Sequence, residues 1–487
     1  MKNLISIFLI VIFSASVQTQ TSKVEYLHDS TVKISQLVGD YDRQWKTQTQ
    51  NLTESTCGLV STDLGVPFQH NGRTFLLFGD SWGGPVGDAI AYTNDTDPED
   101  GIKLIFITDN AGVYKAVKIP GISQEEFEVP MEGLSIDGKM YTYHTTDHSS
   151  TVVMGRSVVA VSQDDGQTFN LLYDLSQKHF INVSIVKVNL TEWPGFPSNI
   201  GDGIALFGSG TYRQSDVRLA FQPADQIENP QSLRYFAGVD QTNAPVWSEN
   251  EDNSKPLFSH PCVGELSVTY NPFIRKWIML YNCDSPRGIN FRTADEPWGP
   301  WSESQLLFDP WLDNGYCHFI HVSWQFRQCD FVHDPGRENE WGGEYGPYQF
   351  EGFATGNDST TTIYYTLSTW NPYTVLLMKS TLILHNFQTS VNIDESVSLN
   401  NFQLGQNYPN PFNHSTIISY QVIKPDIIKL NIYNLNGRLI QTLVNSFQTT
   451  GKYLVNFSSE NIASGIYFYQ MEIGSQKGDF NKMIYIP

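Results

Sequence analysis

Two aspartates, Asp63 and Asp80, are the residues of this sequence whose types and spacing point to chemistry. They flank two apolar runs joined by Asn71-Gly72, a dipeptide that favours a two-residue hairpin because both positions tolerate positive φ. In that register Asp63 faces Asp80 at the open end of the hairpin. Opposed carboxylates destabilise a sheet, and one of them should have a raised pKa. Such a pair either holds a cation in a central channel or is used for acid–base chemistry.

Glycoside hydrolysis is one reaction that two close carboxyls can serve. One carboxylic acid protonates the leaving oxygen, and a second carboxylate acts as base or nucleophile. Trp82 follows Asp80 in the sequence Gly-Asp-Ser-Trp and offers an aromatic ring on which a sugar can stack. The sequence therefore favours a catalytic site with a sugar-stacking ring at the open end of this hairpin over a structural, ion-bound pair.

The elements that must position these residues are β-strands. Between about residues 51 and 384, short β-branched and aromatic runs are cut by Gly, Asn, Asp and Pro, with almost no helical periodicity. The runs fall into five groups about 65 residues apart, each long enough for about four strands. We predict an all-β chain with a five-bladed β-propeller over residues 21–385; a β-sandwich with long insertions is the alternative. The five groups are 62–79, 133–143 with 157–173, 203–221, 264–301 and 345–384.

One local motif supports the propeller. Residues 162–169, Ser-Gln-Asp-Asp-Gly-Gln-Thr-Phe, match the Asp-box that lies on hairpins of sialidase-like propellers. There the aspartate binds local backbone donors and the aromatic residue packs beneath the turn. We take the motif as an indication of fold and not of catalysis.

Several stretches of the chain resemble a bacterial propeller family that was long catalogued only as a domain of unknown function. That family includes glycoside hydrolases that cleave D-arabinan internally. The resemblance covers most of residues 50–385 and implies a five-bladed propeller with endo-acting glycosidase activity. It places Asp63 and Asp80 at the positions of the family's catalytic acids. The matching stretches are 63–82, 264–267, 292–294, 297–301 and 364–373.

Propeller glycosidases of this kind often recruit a third acid from another blade. Glu265 ranks first, because it places a charge at the start of an otherwise apolar strand, although an ordinary strand-end carboxylate fits equally well. The other candidate acids are Glu132, Asp202 and Glu344. Substrate contacts are predicted for Trp82, Arg292, Glu344, Trp370 and Asn371, by ring stacking and side-chain hydrogen bonds. Loops between blades, such as 95–101 and 330–340, are expected to form the pocket walls.

The charge of the chain restricts the classes of ligand that it can bind. The formal net charge is −21, made up of −23 on residues 1–400 and +2 from Asn401 onward. An acidic chain is a poor binder of nucleic acid, which needs a basic face. A sialidase or a polysaccharide lyase on the same fold is the second hypothesis, but such enzymes favour a cationic site for carboxylated sugars. A non-catalytic glycan-binding propeller is the third.

Five cysteines without a CxxC pair argue against a zinc site or a redox pair. We expect one or two structural disulfides and a leftover thiol, with Cys262 bonded to Cys283 if Tyr270 pairs with Arg275. His318 and His321 give only a weak metal signal, so no metal site is predicted. We expect a monomer that needs no cofactor; the carboxylate supply is compatible with a structural Ca²⁺ or Na⁺ ion.

The two ends of the chain carry export signals. Residues 1–20 have a charged start, a short apolar run and small residues typical of a secretory signal peptide, and no segment is long enough to span a membrane. Residues 386–404 are predicted as a linker. Residues 405–487 resemble the type A sorting domain of the Bacteroidetes type IX secretion system in residues 407–413, 430–438 and 464–469. The resemblance implies a small β-sandwich that hands the cargo to the type IX machinery, for a secreted or surface-attached protein; an adhesion module is the alternative.

Overall fold

The computed structural model describes residues 20–388, apart from 151 and 152, and residues 402–486, apart from 408, 436, 460, 461, 475 and 479. These residues form two compact units, one on each side of the undescribed segment. The predicted signal peptide lies outside the described residues, apart from its last position. Most of the predicted linker also lies outside them, and both of its described ends belong to strands.

The described residues of the first unit contain five β-sheets of four or more strands, one for each predicted group of runs, which confirms the five-bladed propeller. Strands are labelled in chain order. The first sheet contains β5 (Ser61–His70), β6 (Arg73–Trp82), β7 (Gly87–Thr93) and β8 (Ile105–Phe106). The second contains β9 (Pro130–Ile136), β10 (Lys139–Thr146), β11 (Arg156–Ser162) and β12 (Asn170–Ser176). The third contains β13 (Asn182–Asn189), β14 (Asp202–Ser209), β15 (Arg218–Pro223), β16 (Arg234–Val239) and β17 (Pro245–Ser248).

The last two blades complete the ring. The fourth sheet contains β18 (Leu266–Asn271), β19 (Lys276–Asp284), β20 (Arg287–Ala294) and β21 (Gln305–Phe308). The fifth contains β1 (Gln20–Tyr26), β2 (Val32–Gln36), β22 (Glu344–Gln349), β23 (Thr355–Asn357), β24 (Thr360–Trp370) and β25 (Tyr373–Gln388). The remaining elements of this unit are β3 (Tyr41–Asp42), β4 (Thr47–Gln48), α1 (Thr53–Cys57) and the 3-10 turns Ala224–Gln226, Pro230–Ser232, Glu251–Asn253 and Glu351–Phe353.

Both ends of the propeller chain meet in the fifth blade. Strands β1 and β2, from the start of the unit, pair antiparallel with β25, from its end. The inner strands β5, β9, β13, β18 and β22 contact one another in sequence, and β22 contacts β5 to close the circle. A closed ring leaves its blades with only short edges, so it avoids the exposed sheet edge on which other chains could pair.

The inner strands run between two cavities. The starts of β5, β9, β13 and β22 and the residue before β18 line a cleft, whereas later residues of the same five strands line a second cavity. Tyr348 on β22 lines both. Residues near the start of each inner strand therefore share one end of the propeller, although they are far apart in sequence.

The Asp-box forms the turn between β11 and β12. The Asp164 carboxylate accepts hydrogen bonds from the backbone and hydroxyl of Thr168, at 2.8 and 2.7 Å, and Phe169 is buried in the core. Asp165 accepts a hydrogen bond from the side chain of Asn71 and is paired with His70, so the turn fastens the second blade to the first hairpin. The motif has the structural role expected from the sequence.

Two disulfides and one buried free thiol, Cys57, account for the cysteines. The predicted bond between Cys262 and Cys283 is present, with a Cα–Cα distance of 5.3 Å. The register behind that prediction was wrong by two residues, because Tyr270 pairs with Trp277 and Arg275 lies in the turn at positive φ. The second disulfide joins Cys317 to Cys329.

The second unit is a small β-sandwich, as its sequence predicts. One sheet contains β26 (Phe402–Leu404), β27 (Ser415–Val422) and β30 (Gly451–Ser458). The other contains β28 (Asp426–Asn434), β29 (Leu439–Gln448), β31 (Gly465–Ile473), β32 (Gln476–Lys477) and β33 (Asn481–Tyr485). A single apolar core includes residues of both sheets.

Candidate active site

A cleft of about 500 Å³ lies at the end of the propeller where the inner strands begin. All three acids that the sequence selected, Asp63, Asp80 and Glu265, line it. Asp63 is on the first inner strand, Asp80 is on the second strand of the same blade, and Glu265 immediately precedes the inner strand of the fourth blade. The ring of blades thus brings together carboxyls from the first and fourth sequence groups.

The first hairpin differs from its predicted register near the cleft. The Asn71-Gly72 turn has two positive φ angles, 47° and 75°, and partners as far as Val66 and Leu77 pair as predicted. The chain then bulges at Leu64 and Gly65, so Asp63 faces Gly79 and not Asp80. The predicted direct opposition of the two aspartates was therefore wrong.

The bulge is held by contacts from the fifth blade. The Leu64 amide donates a 2.7 Å hydrogen bond to the hydroxyl of Ser368, and both Leu64 and Gly65 have positive φ. Gly79 leaves room for the carboxyl opposite it, since a Cβ there would lie 2.7 Å from Oδ1 of Asp63. Strained backbone of this kind often marks a functional site.

Asp63 is buried and mostly uncharged at neutral pH. Burial, together with the negative charge of Asp80, raises the pKa of Asp63 to about 8. The hydroxyl of Tyr345 donates a 2.8 Å hydrogen bond to Oδ2, and Tyr373 also hydrogen-bonds this carboxyl. Oδ1 has no hydrogen-bond partner among the described residues. The carboxyl therefore keeps a buried oxygen, Oδ1, whose hydrogen-bonding capacity no described residue uses.

Asp80 has a different environment. Its two oxygens accept hydrogen bonds from the backbone amide of Phe127, at 3.1 and 3.0 Å. Burial raises the pKa of Asp80 to about 6, and the hydrogen bond from Phe127 limits that rise. At neutral pH Asp80 is therefore mostly a carboxylate while Asp63 keeps its proton. Pairs of carboxyls whose environments separate their pKa values are the arrangement that acid–base catalysis requires.

Glu265 lines the cleft from the fourth blade. Oε1 accepts a 2.5 Å hydrogen bond from the hydroxyl of Tyr212, and Nη2 of Arg213 lies 3.9 Å from Oε2. Oε2 has no hydrogen-bond partner in the described part of the chain. Like Asp63, this carboxyl therefore has a buried oxygen with unused hydrogen-bonding capacity.

The predicted substrate-binding residues fall into two groups. Trp82 and Trp370 line the cleft and are 55% and 37% exposed, so their rings are available for stacking. Asn371 is outside the lining and instead accepts a hydrogen bond from Arg337, which does line the cleft. Asn371 therefore positions Arg337 without lining the cleft itself.

Arg292 and Glu344 do not line the cleft, which corrects their predicted contact with substrate. Arg292 is buried, donates to the hydroxyl of Tyr281 and lies over the ring of Phe258. Glu344 is buried and paired with Arg287, whose Nε lies 3.3 Å from Oε1. Glu344 starts β22, and side chains alternate along a strand, so it is the next residue, Tyr345, that reaches Asp63.

The other two candidate acids line the second cavity. Glu132 is buried there, and Asp202 is paired with Lys187 at 2.7 Å. Of the two loops expected to form walls, 330–340 supplies Arg337 to the cleft, but 95–101 supplies no lining residue. Glu99 in that loop instead pairs with Lys379.

A third aspartate, which the sequence did not single out, is buried close enough to Asp63 and Asp80 for their charges to affect it. Asp88 on β7 is fully buried, and burial and the charges of Asp80 and Asp63 raise its pKa well above the usual range. Its Oδ2 lies 3.9 Å from Nδ1 of His144. Burial lowers the pKa of His144 to about 3, so this imidazole is neutral near pH 7.

The structural Ca²⁺ or Na⁺ ion that the carboxylate supply would allow stays a prediction. Among the described residues, one group of three imidazole, thiol or carboxyl side chains is close enough to hold a metal. It contains His260, Cys262 and Cys283, and its two sulfurs form a disulfide. A disulfide sulfur is not a thiolate ligand.

Fold and site together define a five-bladed β-propeller with a carboxyl-lined cleft at the start of its inner strands. The chain belongs to the family described as domain of unknown function DUF4185, which matches residues 48–379. Residues 406–486 match the secretion system C-terminal sorting domain. The sorting domain directs type IX export, so the protein is secreted or attached to the cell surface. No described helix is both long and apolar enough to cross a membrane.

No curated protein matches the chain. Similar solved structures include a GH43_1 enzyme from Xanthomonas citri complexed with xylotriose, with 10% identity and TM-score 0.37, covering 67% of this chain and 86% of that one. Another is an α-L-arabinofuranosidase from Podospora anserina, with 11% identity, TM-score 0.38 and coverage of 73% and 97%. A third is a family 117 glycoside hydrolase from Zobellia galactanivorans, with 13% identity, TM-score 0.35 and coverage of 74% and 90%.

Proposed function

We propose that the propeller is an exported glycoside hydrolase that cleaves an arabinan-like polysaccharide internally, as a monomer and without a cofactor. The observation that carries this proposal is the pair Asp63 and Asp80, which share one cleft and have pKa values of about 8 and about 6. Near pH 7 one carboxyl is an acid and the other a base or nucleophile, which is the division of labour that glycoside hydrolysis needs.

The proposed roles follow from protonation and hydrogen bonding. Asp63 is the general acid, because it keeps its proton near pH 7 and its Oδ1 has no protein partner among the described residues. Asp80 is the carboxylate that attacks the sugar or activates water, because it ionises at lower pH. Glu265, with Oε2 free of hydrogen bonds in the described structure, binds sugar hydroxyls or assists as a third acid.

The cleft lining favours a neutral sugar chain. Trp82 and Trp370 supply two exposed rings, and four carboxyls line the cleft against two arginines, Arg213 and Arg337. An excess of acidic groups disfavours a carboxylated sugar as substrate. The arabinan class itself comes from the family resemblance, and linkage and chain length are the properties to be measured.

A polysaccharide lyase is the second candidate, and the tyrosines disfavour it. A lyase needs a tyrosinate or histidine base near the sugar ring. Burial raises the pKa values of Tyr345 and Tyr373 well above their usual range, so both remain protonated donors. No histidine lines the cleft within the described ranges. A non-catalytic glycan-binding propeller is the third candidate, and such a module does not need two carboxyls with different pKa values in its cleft.

The test is an activity screen with matched variants. Wild-type protein, Asp63→Asn and Asp80→Asn are assayed on arabinans, xylans and uronate-containing glycans for new reducing ends. We expect hydrolysis of a neutral glycan by the wild type and losses of at least about 10²-fold in each variant. Full activity in both variants would remove the proposed pair. Unsaturated products that absorb in the ultraviolet would select the lyase, and binding without turnover would select the glycan-binding module.

A further inference from the structure

An aromatic surface lies next to the cleft, on the long segment 309–343 between β21 and β22. This segment contains no described strand or helix, and long segments of this kind in compact domains usually have a function. It exposes several large rings: Trp324 is 58% and Phe326 67% exposed. Large apolar groups on a protein surface commonly mark a binding site.

Three of its aromatic residues form one continuous surface, which we call the aromatic platform: Trp311, Phe326 and Trp341. The ring centre of Trp341 lies 4.7 Å from that of Phe326 and 6.4 Å from that of Trp311. The buried ring of Tyr316 packs against both tryptophans, at 4.5 and 5.0 Å. The platform is thus supported by the core.

The segment that carries the platform is fastened at several points. Cys317 and Cys329 are joined by a disulfide. The buried His321 lies between two aspartates of the same segment, with Nδ1 2.8 Å from Asp330 and Nε2 3.3 Å from Asp334. Asp334 is also paired with Arg43, outside the segment. A fixed surface loses little conformational entropy when it binds a ligand.

The platform is continuous with the cleft. The Asn371 side chain donates a 2.8 Å hydrogen bond to the Trp341 carbonyl and accepts one from Arg337, which lines the cleft. On the other side, the Arg287 guanidinium lies 5.8 Å from the ring centre of Trp341. Arg287 and the cleft residue Trp370 both lie against Gly343. A Cβ at Gly343 would lie 2.3 Å from Nη2 of Arg287 and 2.3 Å from Nε1 of Trp370.

We propose that the aromatic platform binds sugar units of the substrate chain that extend beyond the cleft. Sugar rings present C–H faces that stack on aromatic rings, and their hydroxyls accept hydrogen bonds from guanidinium groups. Arg287 over Trp341 and Arg327 over Trp311 place such donors beside the rings. A polysaccharide is favoured over a protein partner because the platform continues the cleft. The inference rests on the proposed function and adds an extended binding surface that selects long chains.

The experiment uses the full chain with a Trp311→Ala, Phe326→Ala double variant. Phe331→Ala is the matched control, because Phe331 is 65% exposed on the same segment and makes none of the platform's ring contacts in the part of the chain that the structure describes. Binding to each polysaccharide of the panel is measured by affinity electrophoresis. Activity is measured as kcat/KM on the polymer and on a short oligosaccharide of the same sugar.

We expect the double variant to bind the polymer about tenfold more weakly and to lower the ratio of polymer to oligosaccharide kcat/KM by a similar factor. The control should behave like the wild type, and melting curves should show that both variants fold. Unchanged polymer binding and an unchanged ratio would overturn the inference while leaving the catalytic proposal intact. If no glycan is hydrolysed, the catalytic proposal fails and the electrophoresis alone tests the platform. Binding of the wild type to no polysaccharide overturns the inference, even if the platform captures a protein.

Discussion

The two ends of the propeller channel each hold a buried carboxyl whose pKa burial raises to about 8, Asp63 at the cleft and Glu132 at the second cavity. They differ in hydrogen bonding. Oε1 of Glu132 accepts from the Gly133 amide at 3.1 Å, and Oε2 accepts from Ser184 and Ile185 at 3.2 and 3.3 Å. Asp63 has one bonded oxygen, and its other oxygen has no partner among the described residues.

The comparison separates burial from function. Burial alone raises the pKa of a carboxyl, and both ends of the channel show this. A carboxyl whose two oxygens are both bonded by its own protein joins neighbouring strands, as Glu132 joins β9 to β13. A carboxyl with an unused oxygen, a second acid beside it and exposed rings nearby can act on a ligand. The cleft has all three, whereas no tryptophan lines the second cavity among the residues that the structure describes.

The largest predicted effect is on turnover. Asp63→Asn should lower kcat by about 10³-fold, because the amide cannot donate an acidic proton to the leaving oxygen. Glu132→Gln, an equally conservative change at the other end, should stay within about twofold of the wild type. Steady-state assays on the best substrate of the panel measure both. A Glu132→Gln variant as inactive as Asp63→Asn would abolish the distinction between the two ends.

The Asp63→Asn variant, which should lose turnover, should gain stability. Folded Asp63 keeps its proton up to about pH 8, whereas the unfolded chain releases it near the usual value of 3.8. The free energy of unfolding therefore falls as pH rises between these values. Asp63→Asn removes that fall, so the variant should be more stable than the wild type by on the order of a few kcal/mol at pH 8 and by little at pH 4. Glu132→Gln should gain less, because its amide group would face backbone donors. Urea unfolding at both pH values measures this, and an equal gain for Asp63→Asn at both would contradict the account.

A smaller effect is expected at the tyrosine that bonds Asp63. Tyr345→Phe removes a donor that favours the ionised form, so the pKa of Asp63 should rise further. The alkaline limb of the pH–rate profile should move to higher pH, and kcat/KM should fall about tenfold because the acid is weaker and less well positioned. Tyr141→Phe, which removes a hydroxyl bonded to Glu228 outside both cavities, is the matched control. A limb that does not move in Tyr345→Phe would show that Asp63 is not the acid.

Local sequence signals predicted the elements well. The positive φ angles of Asn71 and Gly72 were predictable because two-residue hairpins need them. Five groups of short runs were enough to count the blades, and the acids at the start of inner strands were visible as charges beside apolar runs. The bond between Cys262 and Cys283 was also predicted, although through an incorrect register.

The contacts between blades were not predictable from one sequence. The bulge at Leu64 depends on Ser368 and therefore on the fifth blade closing against the first. Tyr345 and Tyr373 reach Asp63 for the same reason. The sequence indicates Glu344 because a charge is a strong signal, whereas only the strand register shows that its neighbour Tyr345 faces the cleft.

The central claim, that Asp63 and Asp80 act as acid and base, is tested most directly by the pH dependence of kcat/KM for the wild type. This quantity reports the ionisation of the free enzyme's essential groups. The account predicts a bell-shaped profile whose acid limb lies near pH 6, from Asp80, and whose alkaline limb lies near pH 8, from Asp63. A profile that stays flat from about pH 5 to about pH 9 would contradict it.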